Sequence, residues 1–132
     1  MTKDNFSTKL FYVKILLIED EEFIRDIYTD ELTNGGFQVD SVGTGREGFE
    51  KLAQNRYDLL LLDIMLPDTN GLEILKKVKQ NPQTKDLKVV LLTNLGEDSV
   101  IKEGFKLGAD KYLIKMSYNL DQVVQELSLI HI

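Results

Sequence analysis

Five short apolar segments, each bounded by polar residues, alternate along this chain with longer segments of helical periodicity. The most apolar of them is a run of four leucines, Leu59 to Leu62, which leads directly into Asp63. Such a run is typical of a strand buried on both faces of a parallel sheet, although its periodicity also fits a buried helix. The turn residues Pro67 and Asn70-Gly71 follow soon afterwards and favour the strand.

Four other segments predict further strands, and five segments show the spacing of amphipathic helices. The further strands are expected at Val13 to Ile18, Phe37 to Val42, Leu87 to Leu92 and Tyr112 to Ile114. The helical positions fall within Phe23 to Leu32, Thr44 to Ala53, Leu72 to Val78, Val100 to Phe105 and Leu120 to Leu127. Thr44 and Asn70 are each followed three residues later by a glutamate, which is the spacing of a capping box.

This alternation predicts an α/β fold built from five βα units, with helices on both faces of a doubly wound, five-stranded parallel sheet. The spacing alone does not give the order of the strands. Residues 1–12 are expected to form a loose N-terminal tail, and residues 13–132 a single domain with one core.

The composition narrows the chemistry open to this domain. The chain has no cysteine and its one histidine is His131, which disfavours thiolate chemistry, disulfides and histidine-based catalysis. A net charge of −6 argues against direct binding to nucleic acid, because phosphate contacts need a basic surface. No apolar run reaches the length of a membrane span and the N-terminus lacks a signal-peptide pattern, so a cytoplasmic protein without membrane attachment is expected.

Four of the predicted strands end in groups that suit phosphoryl chemistry. These strand ends are Glu19-Asp20, Asp63, Thr93 and Lys115. The carboxyl ends of parallel strands lie along one edge of the sheet, where ligands of such folds bind, so these side chains can converge. Clustered carboxylates repel one another unless a cation is present, and oxygen ligands without histidine or cysteine favour Mg²⁺. A lysine can neutralise phosphoryl charge, a threonine can donate a hydrogen bond, and an aspartate can form an aspartyl phosphate.

Each of these residues also fits a purely structural role. Asp63 alone fits an ordinary loop residue, Thr93 a cap of the following turn, and Lys115 a solvated charge. Glu19-Asp20 would favour the dipole of the next helix. Four such strand ends together are harder to account for by structure alone, and this combination favours a functional site.

The sequence resembles the receiver domains of bacterial two-component response regulators over about Lys14 to Leu127. The motifs that carry the resemblance are Ile18-Glu19-Asp20, Asp63-Ile64-Met65-Leu66-Pro67, Gly71, Leu92-Thr93-Asn94, and Gly-Ala-Asp-Lys-Tyr-Leu-Ile-Lys at 108–115. The resemblance implies a flavodoxin-like fold with the strand order 2-1-3-4-5. It also implies a phosphorelay signalling module rather than an enzyme.

The resemblance further implies a role for each site residue. Asp63 would be the phosphoacceptor, and Mg²⁺ would be held by Glu19, Asp20, Asp63 and the backbone carbonyl of Met65. The phosphoryl group would be contacted by Thr93 and Lys115. Tyr112 would be the aromatic switch residue that turns inward when Thr93 moves. The implied partners are a histidine kinase or a phosphotransfer protein, and a second copy docked through the fourth helix, the fifth strand and the last helix.

One departure from the family pattern concerns the residue after Lys115. Receiver domains commonly have proline there, often in a cis bond, whereas this chain has Met116. A cis bond before a residue other than proline costs roughly 2.5–4 kcal/mol. The isomer of the Lys115-Met116 bond and the shape of the loop to Asn119 are therefore left open.

Apolar residues near Asp63 predict a long-lived phosphorylated state. In receiver domains the residues two positions after the aspartate and two after the threonine flank the approach of water. Here these are Met65 and Leu95, which cannot orient a water molecule for hydrolysis. Asn94 is bulkier than the small residue common in the family and would narrow the approach further, unless its amide itself holds the water.

Three other functions fit part of the pattern. A haloacid-dehalogenase-like phosphatase would have a second aspartate two residues after its nucleophile, where this chain has Met65. A flavin-binding flavodoxin-like protein is disfavoured by the acidic turn Asp20-Glu21-Glu22, which would repel a phosphate. A receiver-like interaction module that is never phosphorylated is disfavoured by the intact acidic set and Lys115. The cognate kinase, the regulated process and the presence of an output domain in a longer protein cannot be read from the sequence.

Overall fold

The computed structural model describes residues 13–94, 98–115 and 120–130, in which five strands alternate with five helices. The strands are β1 (Lys14–Ile18), β2 (Gln38–Val42), β3 (Leu59–Asp63), β4 (Lys88–Thr93) and β5 (Lys111–Ile114). The helices are α1 (Glu22–Asn34), α2 (Gly45–Gln54), α3 (Gly71–Gln80), α4 (Asp98–Lys106) and α5 (Leu120–Ser128). The predicted series of five βα units is therefore confirmed.

The strands form one parallel sheet in the order β2-β1-β3-β4-β5, which confirms the order that the family resemblance implied. The register pairs Ile18 of β1 with Leu62 of β3, and Asp63 of β3 with Leu92 of β4. Thr93 of β4 is paired with Ile114 of β5. The carboxyl ends of β1, β3, β4 and β5 are thus level, so the residues that end them lie along one edge.

Helices cover both faces of the sheet, and each face has its own apolar cluster. On β3, Leu59 and Leu61 belong to the cluster that includes α1 and α5, whereas Leu60 and Leu62 belong to the cluster that includes α3. All four leucines are fully buried, as a strand covered on both faces requires. None of the described helices is long and apolar enough to cross a membrane.

Polar side chains cap the two helices for which the sequence predicted capping. Thr44 Oγ1 accepts a hydrogen bond of 3.1 Å from the backbone N–H of Glu47 at the start of α2. Asn70 Oδ1 accepts one of 2.8 Å from the N–H of Leu72 at the start of α3. Gly108 follows α4 with a φ of 106°, a conformation that favours glycine. The two caps fix where α2 and α3 begin, and hence where the loops before them end at the carboxyl edge, whereas Gly108 lies in the loop between α4 and β5 at the amino edge.

Candidate functional site

The buried polar and charged side chains of the described residues all lie at the carboxyl edge of the sheet. They are Glu19, Asp63, Thr93 and Lys115, with exposed fractions of 0%, 3%, 7% and 5%. Burying a charge is costly unless it is paired or binds a ligand, so a fold seldom collects such groups in one place for stability alone. This concentration marks the carboxyl edge as the candidate site.

The strands place the two buried carboxylates side by side. Asp63 is the last residue of β3, and Glu19 directly follows Ile18, the register partner of Leu62. The backbone N–H of Glu19 donates to the carbonyl of Val42 at 3.0 Å, which extends the β1–β2 pairing past the end of β1. Glu19 is therefore held against the sheet, next to the phosphoacceptor that the resemblance implied.

Lys115 lies between these carboxylates as their counter-ion. Its Nζ is 2.5 Å from Oε2 of Glu19 and 3.0 Å from Oδ2 of Asp63. The backbone N–H of Lys115 donates to the carbonyl of Thr93 at 2.8 Å, so the pairing of β4 with β5 sets its position. The predicted pairing of Lys115 with Asp63 is therefore present, and Glu19 shares the same ammonium group.

The surroundings of Asp63 favour its protonated form. Burial and the nearby charge of Glu19 raise the pKa of Asp63 to about 6, although Lys115 and the N–H of Met65 act in the opposite direction. Burial lowers the pKa of Lys115, but its contacts with Glu19 and Asp63 outweigh burial and raise that pKa overall. The ammonium stays charged, and it does not fully offset the repulsion between the carboxylates.

Glu19, Asp20 and Asp63 form a group that could hold a metal ion, with carboxylate oxygens all within 4.8 Å of one another. Oε2 of Glu19 is buried, and its contact with Lys115 lacks the geometry of a hydrogen bond. Asp20 is exposed and opens the group to solvent. Three clustered carboxylates with one ammonium paired to two of them fit a hard divalent cation, which would supply further positive charge.

The loop after Asp63 brings Met65 to the site. The backbone N–H of Met65 donates to Oδ1 of Asp63 at 3.2 Å, and the two ends of the loop meet in an isolated bridge between Met65 and Asn70. A Cβ on Gly71 would collide with the carbonyl oxygen of Asp63, so α3 can begin this close to the site only with glycine. The side chain of Met65 is 74% exposed.

Thr93 and Tyr112 have different surroundings. Thr93 is buried one residue beyond the register partner of Asp63, which places it beside the site. Tyr112 is half-buried, and its ring packs edge-on against Phe105 of α4 at 6.0 Å between centroids. The structure therefore places Thr93 at the acidic edge and Tyr112 against α4, and the switch role of both stays a prediction. Leu95 and the Lys115-Met116 bond lie outside the described residues.

Sequence reasoning missed Arg25, which steadies the acidic turn from α1. Its Nη1 donates to the carbonyl of Glu19 at 2.9 Å and to that of Asp20 at 3.4 Å. Gly43 leaves room for the guanidinium, since a Cβ there would lie 2.9 Å from Nη1. A helical spacing shows that Arg25 is on α1 but does not show that it reaches back to these carbonyls.

A cleft of about 760 Å³ lies at the opposite, amino edge of the sheet, between the end of α2 and the loop before β4. Its lining includes Tyr57, Asp58 and Lys88 but none of the predicted site residues. None of the charged side chains that line it is buried. The buried polar and charged side chains at the carboxyl edge, rather than this cleft, therefore mark the candidate site.

Comparison with known proteins agrees with this geometry. The sequence model of the response regulator receiver domain matches residues 15–128. The chain is 40% identical over 103 residues to the transcriptional regulatory protein CusR of Escherichia coli K12. This match covers 78% of this chain and 44% of CusR. It thus spans less than half the length of that relative.

Two solved structures show the same fold. The chemotaxis response regulator CheY4 of Vibrio cholerae superposes with a TM-score of 0.81 at 28% identity, covering 87% of this chain and 95% of CheY4. The Mn²⁺-bound form of the response regulator Rcp1 gives a TM-score of 0.76 at 28% identity, covering 88% of this chain and 89% of Rcp1.

Proposed function

The chain belongs to the response regulator receiver domain family of two-component systems, and from that premise we propose that it accepts a phosphoryl group on Asp63. The donor would be a histidine kinase or a phosphotransfer protein. The observation that carries the proposal is the buried group of Glu19, Asp63, Thr93 and Lys115 at one edge of the sheet. Its charges are expensive for folding and suited to phosphoryl transfer, which depends mainly on positioning and charge neutralisation.

In the proposed reaction an oxygen of Asp63 attacks the phosphorus of a phosphoimidazole. The new P–O bond forms as the P–N bond breaks, and the imidazole leaves with the electron pair and takes up a proton from water. Lys115, 3.0 Å from Oδ2 of Asp63, is placed to pair with the added negative charge. The hydroxyl of Thr93 can donate a hydrogen bond to a phosphoryl oxygen.

We propose Mg²⁺ as the ion at this site, held by Glu19, Asp20, Asp63 and the backbone carbonyl of Met65. The ligands are oxygens alone, and the three carboxylates carry more negative charge than Lys115 offsets, which supports a cation at this group. The related protein Rcp1 has been solved with Mn²⁺ bound. A divalent cation at this position neutralises carboxylate and phosphoryl oxygens while it is bound.

The test is labelling of the purified chain with a small phosphodonor in the presence of Mg²⁺. We expect the mass gain of one phosphoryl group on the peptide that contains Asp63, and none after chelation of Mg²⁺. Asp63→Asn should abolish labelling. Asp58→Asn is the matched control, because Asp58 precedes the same strand and its carboxylate accepts from the backbone N–H of Lys14, at 2.9 Å.

Two outcomes would replace the proposal. If the folded chain takes no label from a phosphodonor or from a set of histidine kinases, the non-phosphorylated interaction module becomes the better description. If it instead releases phosphate catalytically from phosphate monoesters, with Asp63 required, it is an aspartate-nucleophile phosphatase.

The surface that responds is proposed to be α4, β5 and α5, which can also pair two copies of the chain. Thr93 and Tyr112 connect the acidic edge to this surface, since β4 and β5 are paired and Tyr112 packs on Phe105 of α4. Chemical shifts should change mainly in residues 98–115 and 120–130 when a phosphoryl mimic binds. Changes confined to α2 and α3 would contradict this assignment.

The phosphorylated form is proposed to be long-lived. Met65, two residues after Asp63, is apolar and cannot hold a water molecule, and its side chain, which is 74% exposed, is proposed to shield the approach to Asp63. Asn94, which directly follows Thr93, is exposed. Its amide could instead hold a water molecule for hydrolysis and so shorten the lifetime. Decay of the purified phosphoprotein should be accelerated by Met65→Asn. If the unmodified chain loses phosphate as fast as this variant, shielding by Met65 does not set the lifetime.

A further inference from the structure

We infer that Asp68 is a positioning residue, which ties the loop after Asp63 to the N-terminus of α2 and so fixes the backbone of Met65 at the site. The inference rests on the proposed function, in which Met65 supplies a carbonyl ligand to the cation. Asp68 itself makes no contact with the acidic group. Its effect is transmitted through the loop of residues 64–70.

The carboxylate of Asp68 holds two backbone donors of a helix that lies far from it in sequence. Oδ1 accepts from the N–H of Gly45 at 2.9 Å, and Oδ2 accepts from the N–H of Arg46 at 3.0 Å. These bonds lower the pKa of Asp68, so the carboxylate is charged at neutral pH. The first N–H groups of a helix have no partner within it, and both are satisfied here by one side chain from another loop.

Asp68 is not redundant with the N-cap of α2. Thr44 Oγ1 accepts the N–H of Glu47, and the carbonyl of Thr44 accepts the N–H of Gly48. Asp68 is therefore the acceptor within the protein for the donors of Gly45 and Arg46. The negative charge also lies at the positive end of the helix dipole, which favours the same position.

The two segments are packed closely enough for this bond pair to fix the loop. A Cβ on Gly45 would lie 2.6 Å from Cγ2 of Thr69 and 2.9 Å from Cδ1 of Ile74, which is closer than real contacts allow. The loop thus rests directly on the start of α2, and glycine is what permits the approach.

The same loop carries the backbone groups that contact Asp63. The N–H of Gly71 donates to the carbonyl of Ile64 at 2.6 Å, and the Met65–Asn70 bridge joins the two sides of the loop. The N–H of Met65 donates to Oδ1 of Asp63 at 3.2 Å. Because the loop is closed at its base and held by Asp68 near its tip, release of Asp68 should loosen the peptide groups around Met65.

Two variants and a matched control separate this role from a general effect on stability. Asp68→Ala removes both acceptors, and Asp68→Asn keeps one. Asp110→Ala is the control, because Asp110 also accepts a backbone N–H, that of Val89 at 2.8 Å, but at the amino edge of the sheet. Three readouts are needed: the Mg²⁺ concentration that half-saturates labelling by a small phosphodonor, the labelling rate at saturating Mg²⁺, and amide hydrogen exchange at Met65 and Gly71.

We expect Asp68→Ala to raise the half-saturating Mg²⁺ concentration roughly tenfold, as loss of groups that orient metal ligands commonly does. Asp68→Asn should fall between Asp68→Ala and the unmodified chain. The rate at saturating Mg²⁺ should change less than the half-saturating concentration, and exchange at Met65 should accelerate. Asp110→Ala should leave all three readouts unchanged even if it lowers the melting temperature.

The outcomes also distinguish this inference from the proposed function. If the unmodified chain binds Mg²⁺ but takes no phosphoryl group, the proposed function fails. The positioning role of Asp68 is then tested by comparing the Mg²⁺ affinity of Asp68→Ala with that of the unmodified chain, measured by chemical-shift titration. If the unmodified chain binds no Mg²⁺, the positioning role of Asp68 is decided by comparing amide exchange at Met65 between the unmodified chain and Asp68→Ala. Asp68→Ala with unchanged Mg²⁺ dependence and unchanged exchange would overturn the positioning role.

Discussion

The two edges of the sheet use ionisable residues in opposite ways. At the carboxyl edge, three carboxylates lie close together around one buried ammonium, and an oxygen of Glu19 is left without a hydrogen bond. At the amino edge, Lys14, Asp40, Asp58, Lys88 and Asp110 are partly exposed and each has a partner. Asp40 pairs with Lys14 and accepts a hydrogen bond from the hydroxyl of Tyr57. Asp58 accepts the backbone N–H of Lys14, and Asp110 accepts that of Val89.

This difference separates the groups that stabilise the fold from those that are available for chemistry. The amino-edge pairs tie the first residues of strands to neighbouring strands and turns at little desolvation cost, since their side chains stay in contact with water. At the carboxyl edge, Glu19, Asp63 and Lys115 are buried and together carry more negative than positive charge, which is unfavourable in the absence of a ligand. A protein that retains such a group against its own stability has the arrangement expected of a functional site.

The largest difference between the edges is expected in the free energy of unfolding when one lysine is replaced at each edge in turn. Lys115→Met leaves two buried carboxylates without a counter-ion and should cost about 3–5 kcal/mol in the free energy of unfolding. Lys88 is 40% exposed and lies 3.9 Å from Asp110, so Lys88→Met should cost less than about 1 kcal/mol. Urea unfolding of both variants measures the difference. Added Mg²⁺ should restore part of the loss in Lys115→Met alone, because it supplies positive charge at the same group.

Equal costs for the two variants would contradict the comparison. They would mean that the carboxylates at the carboxyl edge are as well solvated as the pairs at the amino edge. Loss of labelling in Lys115→Met is expected in addition, since Lys115 pairs with Asp63 at 3.0 Å.

The next effect is a stabilisation, and it depends on pH. The pKa of Asp63 is raised from 3.8 to about 6 in the folded chain, first by burial and then by Glu19. The ionised carboxylate is therefore unfavourable to folding above about pH 6, and this cost disappears as the pH falls towards 4 and the folded state takes up a proton. Asp63→Asn should raise the free energy of unfolding at pH 7.5 by on the order of 1–2 kcal/mol, allowing for partial solvent screening.

Unfolding of the unmodified chain and Asp63→Asn across pH 4 to 8, without Mg²⁺, checks this sign. The advantage of Asp63→Asn should be greatest above pH 6 and should shrink towards pH 4. Mg²⁺ should narrow the gap at pH 7.5 because it stabilises the unmodified chain more. An advantage that is constant with pH would show that the charge of Asp63 is not its cause.

The sequence was sufficient to predict the parts of the site that follow from the strands. Leu59 to Leu62 predicted a doubly buried strand, and the parallel sheet then placed Glu19, Asp63 and Lys115 on one edge, where the structure pairs them. Strand ends were less certain. Val13 and Phe37 were predicted inside strands and are buried, but the strands begin one residue later, because burial depends on hydrophobicity whereas a strand begins where pairing begins.

Contacts between loops could not be predicted in this way. Arg25 donates to the carbonyl of Glu19, and Asp68 accepts the N–H of Gly45. Hydrophobic periodicity predicts helices and strands but does not predict contacts of this kind. Both contacts lie beside a glycine, Gly43 or Gly45, and glycine is common in turns for its backbone freedom alone. The order of the strands also came from the family resemblance, because spacing gives the number of crossovers but not their direction.

The smallest effect is expected at the amino edge, from Tyr57→Phe. The hydroxyl of Tyr57 donates to Oδ2 of Asp40 at 2.6 Å, and Lys14 Nζ lies 3.8 Å from the same oxygen. Asp40 keeps this cation and its contact with water after the hydroxyl is removed. The cost should therefore lie near the lower end of about 0.5–1.5 kcal/mol for a hydrogen bond. Labelling of Asp63 and its dependence on Mg²⁺ should not change.

The pH dependence of this cost gives the prediction a second, independent check. Burial, followed by the hydrogen bond and the charge of Asp40, raises the pKa of Tyr57 above its usual value of 10. A tyrosine whose pKa is raised on folding stabilises the fold below pH 10, and this contribution is lost as the pH rises further. The stability gap between the unmodified chain and Tyr57→Phe should thus close above pH 10, and the tyrosinate absorbance of Tyr57→Phe should lack one late-titrating group. If Tyr57→Phe instead slowed labelling as Lys115→Met does, the two edges would be energetically coupled, and the separation between stabilising pairs and chemical groups would not hold.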